Sequence, residues 1–207
     1  QDHCGVVIAD VSGKGVPAAL FMMRVKALLN QLLREDLSPD QVLARANDGL
    51  CEDNEAGMFV TVWLGVLDLR SGKLVYANGG HNPPLYRHAD GSVEWMRDRS
   101  GLLLGSFEGV PYRVFERTMI RGDSLILYTD GVTEAMDASD HCYGDERLFQ
   151  LVERECDGYP ASVSGVIEED VRAFAEGADQ ADDITLLVLR YDGQENGPAA
   201  SAAGNRG

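Results

Sequence analysis

Three short segments, far apart in the chain, each set an aspartate against an apolar, β-rich run. They are Val6-Val7-Ile8-Ala9-Asp10, Leu125-Ile126-Leu127-Tyr128-Thr129-Asp130 and Asp182-Asp183-Ile184-Thr185-Leu186-Leu187. Runs of this kind read as buried strands. Acids at three such strand edges are expected to converge on one pole of a sheet core. Carboxylates gathered there repel, by about 4 kcal/mol for unit charges about 4 Å apart at an effective dielectric near 20. Hard divalent cations bound through oxygen ligands relieve that repulsion. The pattern therefore points to metal-assisted phosphoryl chemistry.

The composition narrows the field. With 207 residues the chain is long enough for one domain with a substantial core. Its formal net charge of -16 argues against nucleic acid and against an anionic membrane surface, which both select clustered Lys and Arg. Cys4, Cys51, Cys142 and Cys156 are dispersed, with no CxxC pair to suggest a zinc knuckle or redox motif. Free thiols in a reducing cytosol are expected. There is no signal peptide, and no apolar run reaches the ~18 residues of a membrane helix, so a cytoplasmic location is expected.

Periodicity gives an order of elements. Gly5 to Asp10 reads as a strand. Ala18 to Arg34 is apolar around much of its circumference and is expected to be a largely buried helix, with Met22 and Met23 as core filler. A second helix starts at Ser38-Pro39-Asp40-Gln41, which has a cap, a first-turn proline and a capping-box glutamine. Met58 to Leu69 and Leu74 to Asn78 form a hairpin. Leu85–His88 pairs with Ser92–Arg97, Asp98 to Gly109 is a loop, and Tyr112–Ile120 pairs with Ser124–Thr129 about Arg121-Gly122-Asp123. Helices over Asp145–Glu155 and Pro160–Glu176 precede a last strand, Ile184–Tyr191. Strands grouped between helix pairs indicate an α+β fold, an antiparallel β-sandwich flanked by helices. The domain is expected over residues 1–192, with 193–207 a disordered tail.

Taken together the segments resemble a known family. Asp10-Val11-Ser12-Gly13-Lys14-Gly15 with Pro17-Ala18-Ala19-Leu20 is similar to the first metal motif of the stage II sporulation protein E type phosphatases, bacterial members of the metal-dependent protein phosphatase 2C superfamily. Asn78-Gly79-Gly80-His81-Asn82-Pro83-Pro84 resembles their central loop. Gly122-Asp123 with Tyr128 to Ala135 resembles the second metal motif, and Asp182-Asp183-Ile184-Thr185 the last. The likeness runs from about Gly5 to Tyr191.

The resemblance implies a four-layer αββα sandwich with two Mn²⁺ or Mg²⁺ ions at one end. It implies hydrolysis of phosphoserine or phosphothreonine on a protein by metal-activated water. By motif match Asp10 bridges both ions, the Val11 carbonyl binds one, and Asp130 and Asp182 hold the other. Asp183 ranks behind Asp182, since its side chain points to the opposite face if the segment is extended. The family's further acidic motif lies on a strand before the Asp10 motif. The chain starts after it, so an N-terminally incomplete sheet with one ligand fewer is expected.

The implied substrate is an anti-sigma-factor antagonist protein, with an upstream sensor or receiver domain in the parent chain. The oligomeric state stays open, a homodimer included. The alternative is a pseudophosphatase that binds a phosphoprotein without turnover. Single residues carry plainer readings. Lys14 either contacts phosphate or is a solvated turn lysine. His81 either donates a proton to the leaving group or stabilises its turn, which is preferred. Glu134 orients neighbours or starts a helical turn. His3, His88 and His141 lack metal-ligand spacing.

Overall fold

A computed structural model describes residues 2–178 and 182–193. The elements run β1 (His3–Val11), α1 (Gly15–Leu32), α2 (Pro39–Cys51), β2 (Val60–Asp68), β3 (Lys73–Gly79), β4 (Leu85–Arg87), β5 (Val93–Trp95), β6 (Phe115–Thr118), β7 (Ser124–Tyr128), α3 (Asp145–Glu155), α4 (Pro160–Phe174) and β8 (Leu186–Arg190). Two four-stranded antiparallel sheets result, ordered β1-β2-β3-β6 and β5-β4-β7-β8.

Three apolar clusters make four layers of this. The first sheet buries Val60, Val62, Leu64 and Ala77 under Val25 and Leu29 of α1 and Val42, Leu43 and Leu50 of α2. The second buries Ile126 and Tyr128 under Leu148 and Val152 of α3 and Val163 and Ile167 of α4. Between the sheets lie Val6, Ile8, Trp63, Tyr76, Leu125 and Leu127, with Trp63 stacked on Tyr76 at 5.6 Å between ring centroids. Side chains alternate along each strand, so β2 and β7 feed a helix layer with one face and the inter-sheet core with the other. The expected αββα sandwich is the observed one.

Local expectations hold where chemistry fixes them. At the start of α2 the Ser38 amide donates to Gln41 Oε1 at 3.1 Å, the reciprocal half of a capping box. The structure differs at two places. Helix α1 is not largely buried: Val16, Leu20 and Met23 are 71%, 62% and 68% exposed and form one stripe on its outer face, so Met23 is not core filler. Spacings of four and three residues put them on one face, but only the opposite face meets the sheet. Nor do Tyr112–Ile120 and Ser124–Thr129 form a hairpin. Strand β6 pairs with β3 in the first sheet, while β7 pairs with β4 and β8 in the second. The chain crosses between sheets at 119–123, where a short turn looks from sequence like a hairpin. The tail expected to be disordered lies, from residue 194 on, outside the described residues. No described helix is long and apolar enough to cross a membrane.

The crossing at 119–123 explains Asp123, which the motif match had grouped with Asp130. The two stand beyond opposite ends of β7, roughly 23 Å apart at strand rise. Asp123 is buried and accepts from the Tyr86 hydroxyl at 2.5 Å, the Ala89 amide at 2.9 Å and the Ile120 amide at 2.8 Å. It is a buckle for the far pole, not part of the carboxylate cluster. Replacing Asp123 with Ala leaves three donors without an acceptor. We expect a loss of about 3 kcal/mol, read as a lowered urea midpoint with an unchanged slope.

Candidate metal centre

Strand β1 delivers Asp10 to one pole of the sandwich. Asp10 sits opposite Thr61 in the β1–β2 ladder, which runs on to Val11 and Val60. Ser12 extends the pairing: its amide donates to the Phe59 carbonyl at 2.9 Å and its hydroxyl accepts from the Phe59 amide at 3.0 Å. Immediately beyond, the Gly13–Gly15 turn starts α1, so the acid is held at a strand end beside a helix start.

Strand β7 delivers Asp130 to the same pole. Thr129 stitches it to the segment before β8. Its amide donates to the Thr185 carbonyl at 3.1 Å, its hydroxyl donates to the Asp183 carbonyl at 3.0 Å, and the hydroxyl oxygen accepts from the Thr185 amide at 3.0 Å. A Cβ on Gly131 would stand 2.4 Å from the Asp183 carbonyl oxygen, so only glycine lets the two backbones close. Asp130-Gly131 is thus more than a turn signal. It sets Asp130 alongside Asp182.

The electrostatics follow from this crowding. Asp10's carboxyl is raised to about 6, first by burial and then by Asp130 and Asp182, while the Val11 amide pulls the other way. Asp10 and Asp130 lie within reach of a shared proton. Asp130 Oδ1 is otherwise buried without a hydrogen-bond partner. Asp182 stands slightly apart. One oxygen accepts from the Asp183 amide at 2.8 Å, and the other lies 3.6 Å from Lys14 Nζ. Among the described residues, no three acidic, His or Cys side chains are already closed around one point. The cleft itself, about 610 Å³, is bordered by Asp10, Val11, Lys14, Met22, Asp182 and Asp183.

The sequence-derived candidates therefore largely meet. Asp10 and Asp130 touch, Asp182 is within electrostatic range, and Val11 and Asp183 share the cleft wall. Residues 183–185 precede β8 and are not a regular strand, so the alternation that ranked Asp183 behind Asp182 does not apply there. An all-oxygen donor set with an unsatisfied buried carboxylate oxygen suits a hard divalent cation.

The remaining histidines stay apart. His88 pairs with Glu94 at 3.0 Å, His141 with Asp137 at 3.2 Å, and His3 is exposed. Glu134 is exposed and its amide donates to the Asp130 carbonyl at 2.7 Å, a turn role. Sequence reasoning assigned no role to Thr61 or Thr129. Thr129 is visible beside Asp130 inside the second motif, whereas Thr61 lies in the apolar run of β2 with no signal of its own.

His81, at the same pole, is 5% exposed. Burial pushes its imidazole down to about 4, against the opposing pull of the Tyr128 main chain and Asp130. A ring neutral at pH 7 does not carry the proton a leaving group needs, which favours the turn-stabilising reading.

Comparisons with known proteins bear on the family and the fold. The family model described as Stage II sporulation protein E (SpoIIE) matches residues 1–192. Phosphoserine phosphatase RsbU of Bacillus subtilis (strain 168) is 28% identical over 190 residues, covering 92% of the chain and 56% of RsbU. The chain thus spans about half the length of the curated relatives it matches. The RsbU and RsbW domains of Rv1364c from Mycobacterium tuberculosis superpose with a TM-score of 0.76 at 25% identity, covering 94% of the chain and 53% of that structure. The catalytic domain of the serine threonine protein phosphatase PstP, solved with 2 manganese ions, shares the fold at a TM-score of 0.61 and 16% identity, covering 89% and 86%. Motifs, sandwich and family match coincide, and the chain belongs to the stage II sporulation protein E family.

Proposed function

We propose that the chain is the catalytic domain of a metal-dependent protein serine/threonine phosphatase. It hydrolyses phosphoserine or phosphothreonine on a bacterial regulatory protein, an anti-sigma-factor antagonist. The observation that carries this reading is the meeting of Asp10 and Asp130 from opposite sheets, with Asp10 raised to about 6. A fold does not assemble like charges at a stability cost unless something else compensates. The family match and the phosphoserine phosphatase relative support the same reaction. The manganese in PstP supports the choice of Mn²⁺ or Mg²⁺, two ions per site.

In this reading Asp10, the Val11 carbonyl, Asp130 and Asp182 hold the ions, with Asp183 beside them. Bound divalent cations supply charge to the phosphoryl oxygens and acidify the attacking water. The chain's own part is to bind and orient. Three carboxylates against two divalent cations leave a net of about +1, so a phosphate dianion is drawn to the cleft of an otherwise acidic protein. The free cysteines are dispersed, and the buried Cys156 thiol is raised to about 11, which suits no thiolate nucleophile. The parent protein's upstream sensor or receiver domain, its oligomeric state and its cytoplasmic location belong to this proposal as well.

Two expectations follow from the Asp10–Asp130 contact. With a phosphoserine peptide and Mn²⁺, turnover falls by at least ~100-fold in Asp10→Asn and in Asp130→Asn, and chelation abolishes it. Tight peptide binding without turnover in the unmodified protein would instead mark a phosphoprotein-binding module. Stability moves the opposite way. Because Asp10 holds its proton more tightly folded than unfolded, the metal-free fold loses stability as pH rises from about 4 to about 6, and above that the cost is fully present. Asp10→Asn removes that cost. Allowing for partial solvent screening, we expect it to stabilise the metal-free protein by about 1 kcal/mol at pH 7.5. The gain shrinks as pH falls towards 5, as read by urea unfolding in chelator.

A further inference from the structure

The chain also crosses between the sheets at the carboxylate pole, from Gly79 at the end of β3 to Leu85 at the start of β4. His81 lies on that crossing. Its main chain is already locked without help from the ring. The His81 amide donates to Asn78 Oδ1 at 2.8 Å, Asn78 Nδ2 donates to the His81 carbonyl at 3.0 Å, and the Asn78 amide donates to Ser100 Oγ at 2.7 Å. Gly80 contributes a positive φ of 76° where Leu103 passes within 3.0 Å of the site a Cβ would take. A turn-stabilising role therefore explains the backbone of His81 but not its buried imidazole.

The imidazole reaches both sheets. On one side Nδ1 is 2.9 Å from Thr61 Oγ1. Thr61 is the cross-strand partner of Asp10, and its hydroxyl donates to the Asp10 carbonyl at 3.4 Å. On the other side the ring faces the Tyr128 main chain, with the Asp130 carboxylate within electrostatic range. Nε2 is buried without a hydrogen-bond partner, so the ring meets the Tyr128 main chain by packing. The imidazole thus fills the gap between the strand end that carries Asp10 and the strand end that carries Asp130.

We infer that His81 is a positioning residue. Through Thr61 on one sheet and the end of β7 on the other, it sets the separation of the Asp10 and Asp130 carboxylates, and so the affinity for metal. This rests on the metal-dependent reading of the site. It assigns His81 no contact with substrate and no proton transfer. A group behind the ligands that fixes their orientation commonly accounts for 10–100-fold in metal affinity.

The test is calorimetric titration of Mn²⁺ into the whole chain and its Thr61→Val, His81→Leu and His81→Gln variants, with phosphopeptide kinetics at saturating Mn²⁺. Thr61→Val and His81→Leu are each expected to weaken Mn²⁺ binding by about 10-fold while kcat at saturation stays within about 3-fold. His81→Gln keeps a polar group facing Thr61 and recovers most of the affinity. The double variant Thr61→Val/His81→Leu loses no more than the weaker single variant, because both act through one linkage. Unchanged affinity in Thr61→Val, losses that multiply in the double variant, or a collapse of kcat at full affinity would each overturn the assignment. Should His81→Leu fail to fold, Thr61→Val against the unmodified chain decides. An unmodified chain that binds no Mn²⁺ overturns the metal reading itself, whereas one that binds it equally well with Thr61→Val overturns only the role of His81.

Discussion

The contact on which the rest depends is an unfavourable one. Asp10 and Asp130 arrive from different sheets and meet at one pole, where Asp10 is driven up to about 6 by burial and by its acidic neighbours. A fold holds such a pair together only if the elements behind it are fixed by something stronger. Here those are the three apolar clusters, in which Val60, Leu64, Ile126 and Leu127 are fully buried and each worth roughly 1.5–3 kcal/mol. Core packing sets the strand ends, and the strand ends set the carboxylates. The local repulsion is then small against the sum of burial, yet large against the margin by which a domain stays folded.

Two of the three places where the chain crosses between the sheets fix the poles of the sandwich. At the carboxylate pole the segment from Gly79 to Leu85 joins the sheets. At the far pole residues 119–123 do so, with Asp123 holding Tyr86, Ala89 and Ile120. Because β7 is buried on both faces and clamped at each end, Asp130 is delivered with little freedom. Asp182 is less fixed: its side chain is 44% exposed, and that of its neighbour in the cleft, Lys14, is 67% exposed. The centre is thus rigid on the β1 and β7 side and softer on the β8 side.

Much of this was legible in the sequence because the signals were local and strong. Apolar runs that end in Asp10 and Asp130, and one that begins just after Asp182, mark the convergence, and Ser38 with Gln41 marks the start of α2. What stayed hidden depended on partners distant in the chain. Pairing of β6 with β3, instead of with β7, is decided by which sheet the preceding residues reach, and Arg121-Gly122-Asp123 reads the same either way. Asp123 looked like part of an acidic motif because spacing along a strand says nothing about which end serves the site. Thr61 lies in no motif, and Thr129, though beside Asp130, reads only as the end of a strand. Their role appears only when β2 is laid against β1 and β7 against residues 183–185. The outer face of α1 misled for a related reason: Val16, Leu20 and Met23 are apolar, but the sheet covers only one side of the helix.

That stripe has a consequence for how the molecule meets others. Its three apolar side chains flank a cleft of carboxylates on a chain whose formal net charge is -16. Any surface drawn onto the stripe by dehydration must first approach through an acidic field. Two copies of the chain repel one another on that approach. A neutral or basic surface does not, and added salt, which shortens the Debye length to about 8 Å near physiological strength, narrows the difference. The stripe therefore discriminates among visitors by their charge before any apolar contact is made.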